Sequence, residues 1–275
     1  MKYMHLILVL VLSVSLSACG GGDKSLDADF EPDKPVEQLY NEAAAELDQK
    51  NYLRAFALFN EVERQHPYSQ WATRAQLMAG YAAYEGASYQ ESILALDRFA
   101  RLHPGHKDID YAYYLRALNF YDQISDVGRD QEMTKLAKEN FEAILRGYPN
   151  SKYARDARLK LDLTLDHLAG KEMNIGRYYL VRNQYHAAIK RFMTVVKKYQ
   201  TTTHAPEALH RLVESYLSLG IKQEAERIAA VLGYNYPGSV WYEDTYKLMD
   251  DTARQRLLDD RGFIDKTIES LFRPE

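Results

Sequence analysis

The chain has 275 residues, of which 46% are hydrophobic and 27% charged, a composition typical of a folded protein. A net charge of −4 and a pI near 6.1 argue against a nucleic-acid-binding surface. Neither a phosphate-cradling glycine loop nor a catalytic Ser/His/Asp or Cys/His set is evident, so the sequence predicts no enzyme activity and no catalytic residue.

The first predicted element is a lipoprotein signal peptide at residues 1–18. Lys2 precedes a short apolar run, and small residues follow it, as in a secretory signal. The segment Leu16–Cys19 looks like a bacterial lipobox, in which the cysteine is acylated and becomes the first residue of the mature chain. Because Cys19 is the only cysteine, we predict a covalent lipid there. The alternative is an ordinary signal peptide with an unrelated cysteine.

Residues 19–35 are predicted to form the lipidated terminus and a flexible tether. The segment is rich in Gly, Asp and Pro and has little apolar surface to bury. Such a tether spans roughly 20–25 Å. Gly20 stands where an aspartate would favour retention in the inner membrane, so we expect an anchor in the outer membrane.

Residues 36–238 carry five copies of one helical pattern. In each copy a small residue is followed by apolar residues four and seven positions later, and a proline or, once, Gln200 closes the copy. The three positions are Ala55, Phe59, Val62; Ser92, Leu96, Phe99; Ala137, Phe141, Ile144; Ala188, Phe192, Val195; and Ala225, Ala229, Leu232. They share one face of a helix, and a second helix follows each closing turn. The pattern resembles the tetratricopeptide repeat and predicts an all-α, right-handed α-solenoid of about five helix pairs.

Two intervals between closing positions are long. One contains residues 122–133, whose serine, glycine and acids predict an inserted loop. The other contains residues 151–183, with Gly170 and Gly176 inside, and the sequence leaves open one long helix or two helices that meet near Gly170. We also expect side-chain caps after the closing turns, at Ser69, Ser151, Thr202 and Ser239.

Residues 239–275 are predicted to form C-terminal capping or docking helices. Ile264, Ile268, Leu271 and Phe272 follow the spacing of an amphipathic helix. Such a helix would cap the last repeat or dock another protein.

Two segments carry a resemblance to a known family. Asp97–Pro104 with Ile109–Tyr111, and Arg146–Tyr153, are similar to the BamD family, and the resemblance covers about residues 33–240. The family consists of lipoproteins of the β-barrel assembly machinery in Gram-negative outer membranes. The resemblance implies a scaffold that is lipid-anchored at the periplasmic face of the outer membrane. Its implied partners are the barrel-forming subunit, other machinery lipoproteins and unfolded outer-membrane proteins.

The same resemblance implies where partners bind. The first repeats would receive the aromatic-rich terminal strand of unfolded proteins, with His66 and Tyr68 as substrate-binding candidates, and Tyr178 and Tyr179 are further substrate-binding candidates in the groove. The C-terminal repeats would dock the barrel-forming subunit, with Arg191 as a candidate ion-pair partner. Because neighbouring helical residues point about 100° apart, Tyr178 and Tyr179 cannot both be buried in one seam. For each residue, packing within the fold or solvation is the alternative.

Other functions stay open at this stage. His103 and His106 are two histidines without a third ligand nearby in sequence, a poor zinc site, so we expect no metal and no cofactor beyond the lipid. The alternative function is an envelope adaptor that recruits peptidoglycan hydrolases or Tol–Pal components.

Overall fold

The computed structural model describes residues 34–250 and residue 252. Within them the chain forms helices and no strand, which confirms the predicted all-α fold. The helices are α1 (Val36–Asp48), α2 (Tyr52–Gln65), α3 (Gln70–Glu85), α4 (Tyr89–Leu102), α5 (Ile109–Tyr121), α6 (Glu132–Gly147), α7 (Ala154–Val181), α8 (Tyr185–Lys198), α9 (Ala205–Ser218), α10 (Lys222–Asn235) and α11 (Val240–Leu248). The predicted signal, Cys19, most of the tether and the segment 264–272 lie outside the described residues.

The described helices form five antiparallel pairs, α1–α2 to α9–α10, followed by α11. We call the first helix of each pair its A helix and the second its B helix. All fifteen apolar or small positions of the repeated pattern are buried on the B helices, from Ala55 to Leu232. Ala75, Ala112, Ala157 and Ala208 are buried at one register of the A helices. The predicted solenoid and its register are therefore confirmed.

Each A helix meets its own B helix through residues of complementary size. Gly80 of α3 packs against Leu96, and Gly176 of α7 packs against the Phe192 ring, where a Cβ atom would overlap the larger side chain. In the last pair the sizes are reversed, because Val213 stands on the A helix and the small Ala229 on the B helix. Gly80 and Gly176 therefore allow two helices to approach closely, and neither glycine marks the end of a helix.

The turns from each B helix to the next A helix share one backbone conformation. The closing residues His66, His103, Tyr148, Tyr199 and Tyr236 have φ between −135° and −129° and ψ between 35° and 57°. A following proline disfavours the helical conformation and so ends the helix at this residue, yet Tyr199 adopts the same conformation before Gln200. The turn is therefore fixed by packing as well as by proline.

The predicted caps are confirmed in part. Ser69 and Ser239 are N-caps, with side chains that accept backbone N–H groups of Trp71 and Tyr242. Ser151 accepts the N–H of Tyr153, but it stands before the capping position of α7. The Thr202 prediction is wrong, because its hydroxyl donates to the Tyr199 carbonyl and no side chain caps α9.

The turns from A to B helices place one residue in the left-handed region. Lys50, Ala87, Asn183 and Gly220 have φ between 55° and 75°. Their N–H groups bond to carbonyls in the last turn of the preceding helix, as in a helix end closed by a left-handed residue. The third pair is the exception, because residues 122–131 form the predicted inserted loop between α5 and α6.

Helix α7 settles the open question about residues 151–183. It is one continuous helix of 28 residues, about twice the length of the other paired helices. Its second half, not its first, packs against α8, because Gly176 contacts Phe192 as Gly80 contacts Leu96. The pairing register is thus displaced by fourteen residues along α7, or about 21 Å at 1.5 Å per residue.

Helix α7 therefore joins two offset stacks, α1–α6 on its first half and α8–α11 on its second. The inserted loop and the turn before α9 meet at its middle. Lys171 Nζ donates to the carbonyls of Gly128 (2.8 Å) and Arg129 (3.2 Å). Asp166 accepts the N–H and the hydroxyl of Thr203 at 3.0 and 2.7 Å.

Candidate interaction surfaces

The first predicted binding turn combines one tethered and one exposed side chain. His66 ends α2 and is half-buried, and its Nε2 lies 2.8 Å from the Lys34 carbonyl oxygen. Because a carbonyl only accepts, this ring nitrogen donates. Tyr68, two residues on, is fully exposed. His66 thus ties the start of the array to the end of α2, and Tyr68 is the aromatic side chain of this turn that faces solvent.

The two tyrosines near the end of α7 diverge, as the helical geometry requires. Tyr178 is more than half exposed, and the guanidinium of Arg182 lies 3.6 Å from its ring centroid. Tyr179 packs against the core of the second stack. The rings contact edge to face at 5.6 Å. Tyr178 therefore offers an exposed aromatic surface with a cation against it, whereas Tyr179 supports it from the core.

Arg191 already has a partner inside the chain. Its Nη1 lies 3.1 Å from Glu172 Oε2 on the second half of α7, and its side chain is partly exposed. An exposed pair of this kind contributes little to stability, at most about 1 kcal/mol. A partner's carboxylate could therefore compete for Arg191 at small cost to the fold.

The histidine pair at the second closing turn is held within the fold. The Phe99 ring lies 5.4 Å from the His103 ring and 5.2 Å from the His106 ring, measured between centroids. His103 Nε2 is 3.0 Å from Gln76 Oε1, and His106 Nδ1 accepts the Asp108 N–H. Among the described residues no group of three His, Cys, Asp or Glu is placed to hold a metal ion.

Tyrosines and carboxylates link successive A helices of the first stack. The Tyr84 hydroxyl on α3 donates to Asp122 after α5, and the Tyr114 hydroxyl on α5 donates to Asp156 of α7. Burial, with the carboxylate hydrogen bond, raises the pKa of both hydroxyls, so both remain protonated donors. The sequence reasoning missed these links because their partners lie far apart in the chain.

A salt-bridge network links α7 to α9 in the second stack. Arg177 donates from Nε (2.8 Å) and Nη2 to the two carboxylate oxygens of Glu207, which is 9% exposed. Arg211 Nε also lies 3.5 Å from Glu207 Oε1, and Arg211 Nη1 pairs with Glu214 Oε2 at 2.7 Å. Burial alone would raise the pKa of Glu207, but the Arg177 hydrogen bonds and the two cations hold it below its usual value.

Comparison with known proteins assigns this chain to a family. A family profile described as YfiO, an outer membrane lipoprotein, matches residues 32–232. The outer membrane protein assembly factor BamD of Caulobacter vibrioides is 49% identical over 90% of this chain and 81% of its own. The BamD proteins of Rickettsia prowazekii and Neisseria meningitidis are 46% and 36% identical, over 88% and 85% of this chain and 94% and 92% of their own. This chain belongs to the BamD family.

In this BamD family member the predicted residues fall into two groups. His66 and Tyr68 lie in the turn that closes the first pair of the first stack, whereas Tyr178, Tyr179 and Arg191 lie in the pair that opens the second stack. The fold does not bring the two groups together, since the inserted loop and the first half of α7 separate them. None of the described helices is long and apolar enough to span a bilayer.

Proposed function

We propose that this protein is a lipid-anchored scaffold of outer-membrane protein assembly, attached through Cys19 to the periplasmic face of the outer membrane. The main support is the family, because the BamD relatives are named outer membrane protein assembly factors. The lipobox-like Leu16–Cys19 and the match to an outer membrane lipoprotein profile support the anchor.

We further propose a division of labour between the two stacks. The first stack receives the terminal strand of unfolded outer-membrane proteins at the turn that carries Tyr68. The second stack docks the barrel-forming subunit of the assembly machinery at Arg191. The exposed Tyr178 of the same stack, which Tyr179 supports from the core, is a further contact for the unfolded protein. The offset along α7 supports this division, because two partners on offset stacks need not compete for one surface.

The docking half of the proposal is tested by charge reversal at Arg191. We expect Arg191→Glu to reduce recovery of the barrel-forming subunit in a pull-down from detergent-solubilised outer membranes, with an unchanged melting temperature. Arg146→Glu, an equal charge change on exposed α6, is the matched control. The exchange Glu172→Arg with Arg191→Glu restores the internal pair, so docking should stay weak if Arg191 itself meets the partner.

The substrate half is tested with an aromatic-rich C-terminal peptide of an outer-membrane barrel protein. Tyr68→Ala should weaken binding of the labelled peptide, and Tyr234→Ala, an exposed tyrosine of the second stack, should not. Equal binding by the two variants removes Tyr68 from the proposal.

The role as a whole is tested by depletion in cells. The levels of large outer-membrane barrel proteins should fall together. A Cys19→Ser chain should lack the added mass of the acyl groups in mass spectrometry, and it should fail to restore those levels. Absence of the barrel-forming subunit from the pull-down contradicts the proposal. Unchanged barrel levels with altered cell-wall cross-linking would favour the adaptor function instead.

A further inference from the structure

One register position of the A helices packs against the next A helix throughout the array except on the first half of α7. On α3 the position is Leu77, 7% exposed, in one core cluster with Ile109 and Ala112 of α5. On α5 it is Tyr114, whose ring stacks on Tyr153 at 4.9 Å. The position therefore marks the contact between successive A helices.

The same position recurs in the second stack. On α9 it is His210, 4% exposed, with Nδ1 2.8 Å from Thr245 Oγ1 of α11. The second half of α7 places Met173 there, fully buried in the core of the second stack.

On the first half of α7 the position is Leu159, which is 58% exposed. Leu163, one turn further on the same face, is 59% exposed. Asp162 stands where Gly80 and Ala117 meet their own B helices, and it is exposed as well. Because the second stack is displaced along α7, no described helix covers this face, and two leucines at helical spacing point to solvent.

The charges around the leucines indicate which occupant fits. Arg155 and Arg158 are exposed near the start of α7, and neither forms an ion pair among the described residues. At two other places in the array, an acid in the first turn of an A helix bonds to the A helix before it. Asp156 accepts from Tyr114, and Glu207 accepts from Arg177. A helix on the uncovered face, parallel to α7 and in the register at which Asp156 meets Tyr114, would place its first turn beside Leu159, within reach of the long side chains of Arg155 and Arg158.

We infer that the uncovered half of α7 is the docking site for an amphipathic helix of a partner protein, with apolar residues at i and i+4 and an acidic first turn. The partner helix would continue the A-helix contact of the first stack in trans, in the place that α5 and α7 take on the preceding A helices. The leucines supply the apolar contact, and the arginines set direction through charge complementarity with the first turn. This surface is distinct from Tyr68 and from Arg191, so the inference does not depend on the proposed function.

The experiment uses the full-length chain, expressed in the bacterium it comes from, with a photo-crosslinker in the stripe formed by Leu159 and Leu163. Leu163→p-benzoylphenylalanine is compared with Leu94→p-benzoylphenylalanine, an equally exposed leucine of α4 in the same stack. Mass spectrometry then identifies the crosslinked residue on the captured chain. We expect an adduct at position 163 that maps to a helix of another protein with the stated pattern, and a much weaker one at position 94.

Charge reversal then tests the orientation. Arg155→Glu with Arg158→Glu should lower the yield of the adduct by up to about fivefold for each arginine, the upper range of an exposed ion-pair effect. Replacing the acids of the mapped helix with lysine should restore the yield. An unchanged melting temperature verifies that the exposed arginines affect docking and not folding.

Several outcomes overturn the inference. Equal yields at positions 163 and 94 mean that the stripe binds nothing in particular. An adduct to residues 251–275 shows that the chain's own tail covers α7, and an adduct to a second copy shows self-association. An extended, non-helical partner segment, or a yield that ignores the arginine reversal, also contradicts it.

Discussion

The two halves of α7 carry the same register positions in opposite environments. Met173 is fully buried and Leu159 is 58% exposed, although both occupy the position that contacts the next A helix. Gly176 lies against Phe192, whereas Asp162, at the same register in the first half, is exposed. One uninterrupted helix can thus end one stack and begin the next, because its neighbours decide which of its residues are buried.

The largest expected effect follows from the close approach at Gly176. Gly176→Val would drive a branched side chain into the Phe192 ring and should destabilise the fold by about 3 kcal/mol or more. Asp162→Val, at the matching position of the first half, should change the unfolding free energy by less than about 0.5 kcal/mol. Urea unfolding of both variants measures the difference, and equal effects would show that α8 does not pack on the second half.

Truncation of the equivalent apolar residues should give the next largest difference. Met173→Ala leaves a cavity in the core of the second stack and should cost about 2–4 kcal/mol. Leu159→Ala removes an exposed side chain and should cost less than about 0.5 kcal/mol. Thermal melts and urea midpoints measure the stability of both variants. A large loss of stability for Leu159→Ala would mean that the first half of α7 is covered in the folded chain.

The Arg177–Glu207 pair adds a pH-dependent contribution to the packing of the second half of α7. Glu207→Gln should cost about 2 kcal/mol at pH 7, since it weakens charged hydrogen bonds of a buried carboxylate. The folded-state pKa of Glu207 is depressed, so its stabilisation is present above the unfolded pKa of about 4.3 and is lost as pH falls through the folded pKa. The gap between wild type and variant in urea unfolding should therefore narrow as pH falls below about 4.3, and a gap independent of pH would refute this assignment.

The smallest effect concerns the left-handed residue that ends each A helix. Ala87→Gly, at φ 55°, should stabilise the chain by up to about 1 kcal/mol, because glycine adopts this conformation without a Cβ penalty. Asn183→Gly, at the end of α7, should gain less, since asparagine tolerates the left-handed region. Differential scanning calorimetry can order the two variants, and a larger gain at Asn183 would contradict the argument.

The repeat register was predictable because its signal is local. Ala188, Phe192 and Val195 lie within two helical turns, so spacing alone assigns them to one face. The continuity of α7 was not predictable, because a glycine such as Gly176 signals either a helix end or the close approach of another helix. The contact between Gly176 and the Phe192 ring shows that it is a close approach.

The candidate surfaces were predictable in a more limited sense. Helical geometry requires Tyr178 and Tyr179 to diverge, but only the packing of the second stack shows which one is exposed. The Glu172 partner of Arg191 lies on another helix, beyond any local pattern. Leu159 resembles a core residue in sequence, and its exposure depends on where α9 lies.

The rigid offset of the two stacks along α7 can be measured most directly by a distance between spin labels at the two ends of the helix. Labels on Arg155→Cys and Val181→Cys, in a mature chain with Cys19→Ser, sit at exposed sites about 39 Å apart along a straight α-helix. We predict one narrow distance distribution near 40 Å. A broad distribution, or one centred well below 30 Å, would show that the helix breaks near Gly170 and that the two stacks are not held at a fixed offset.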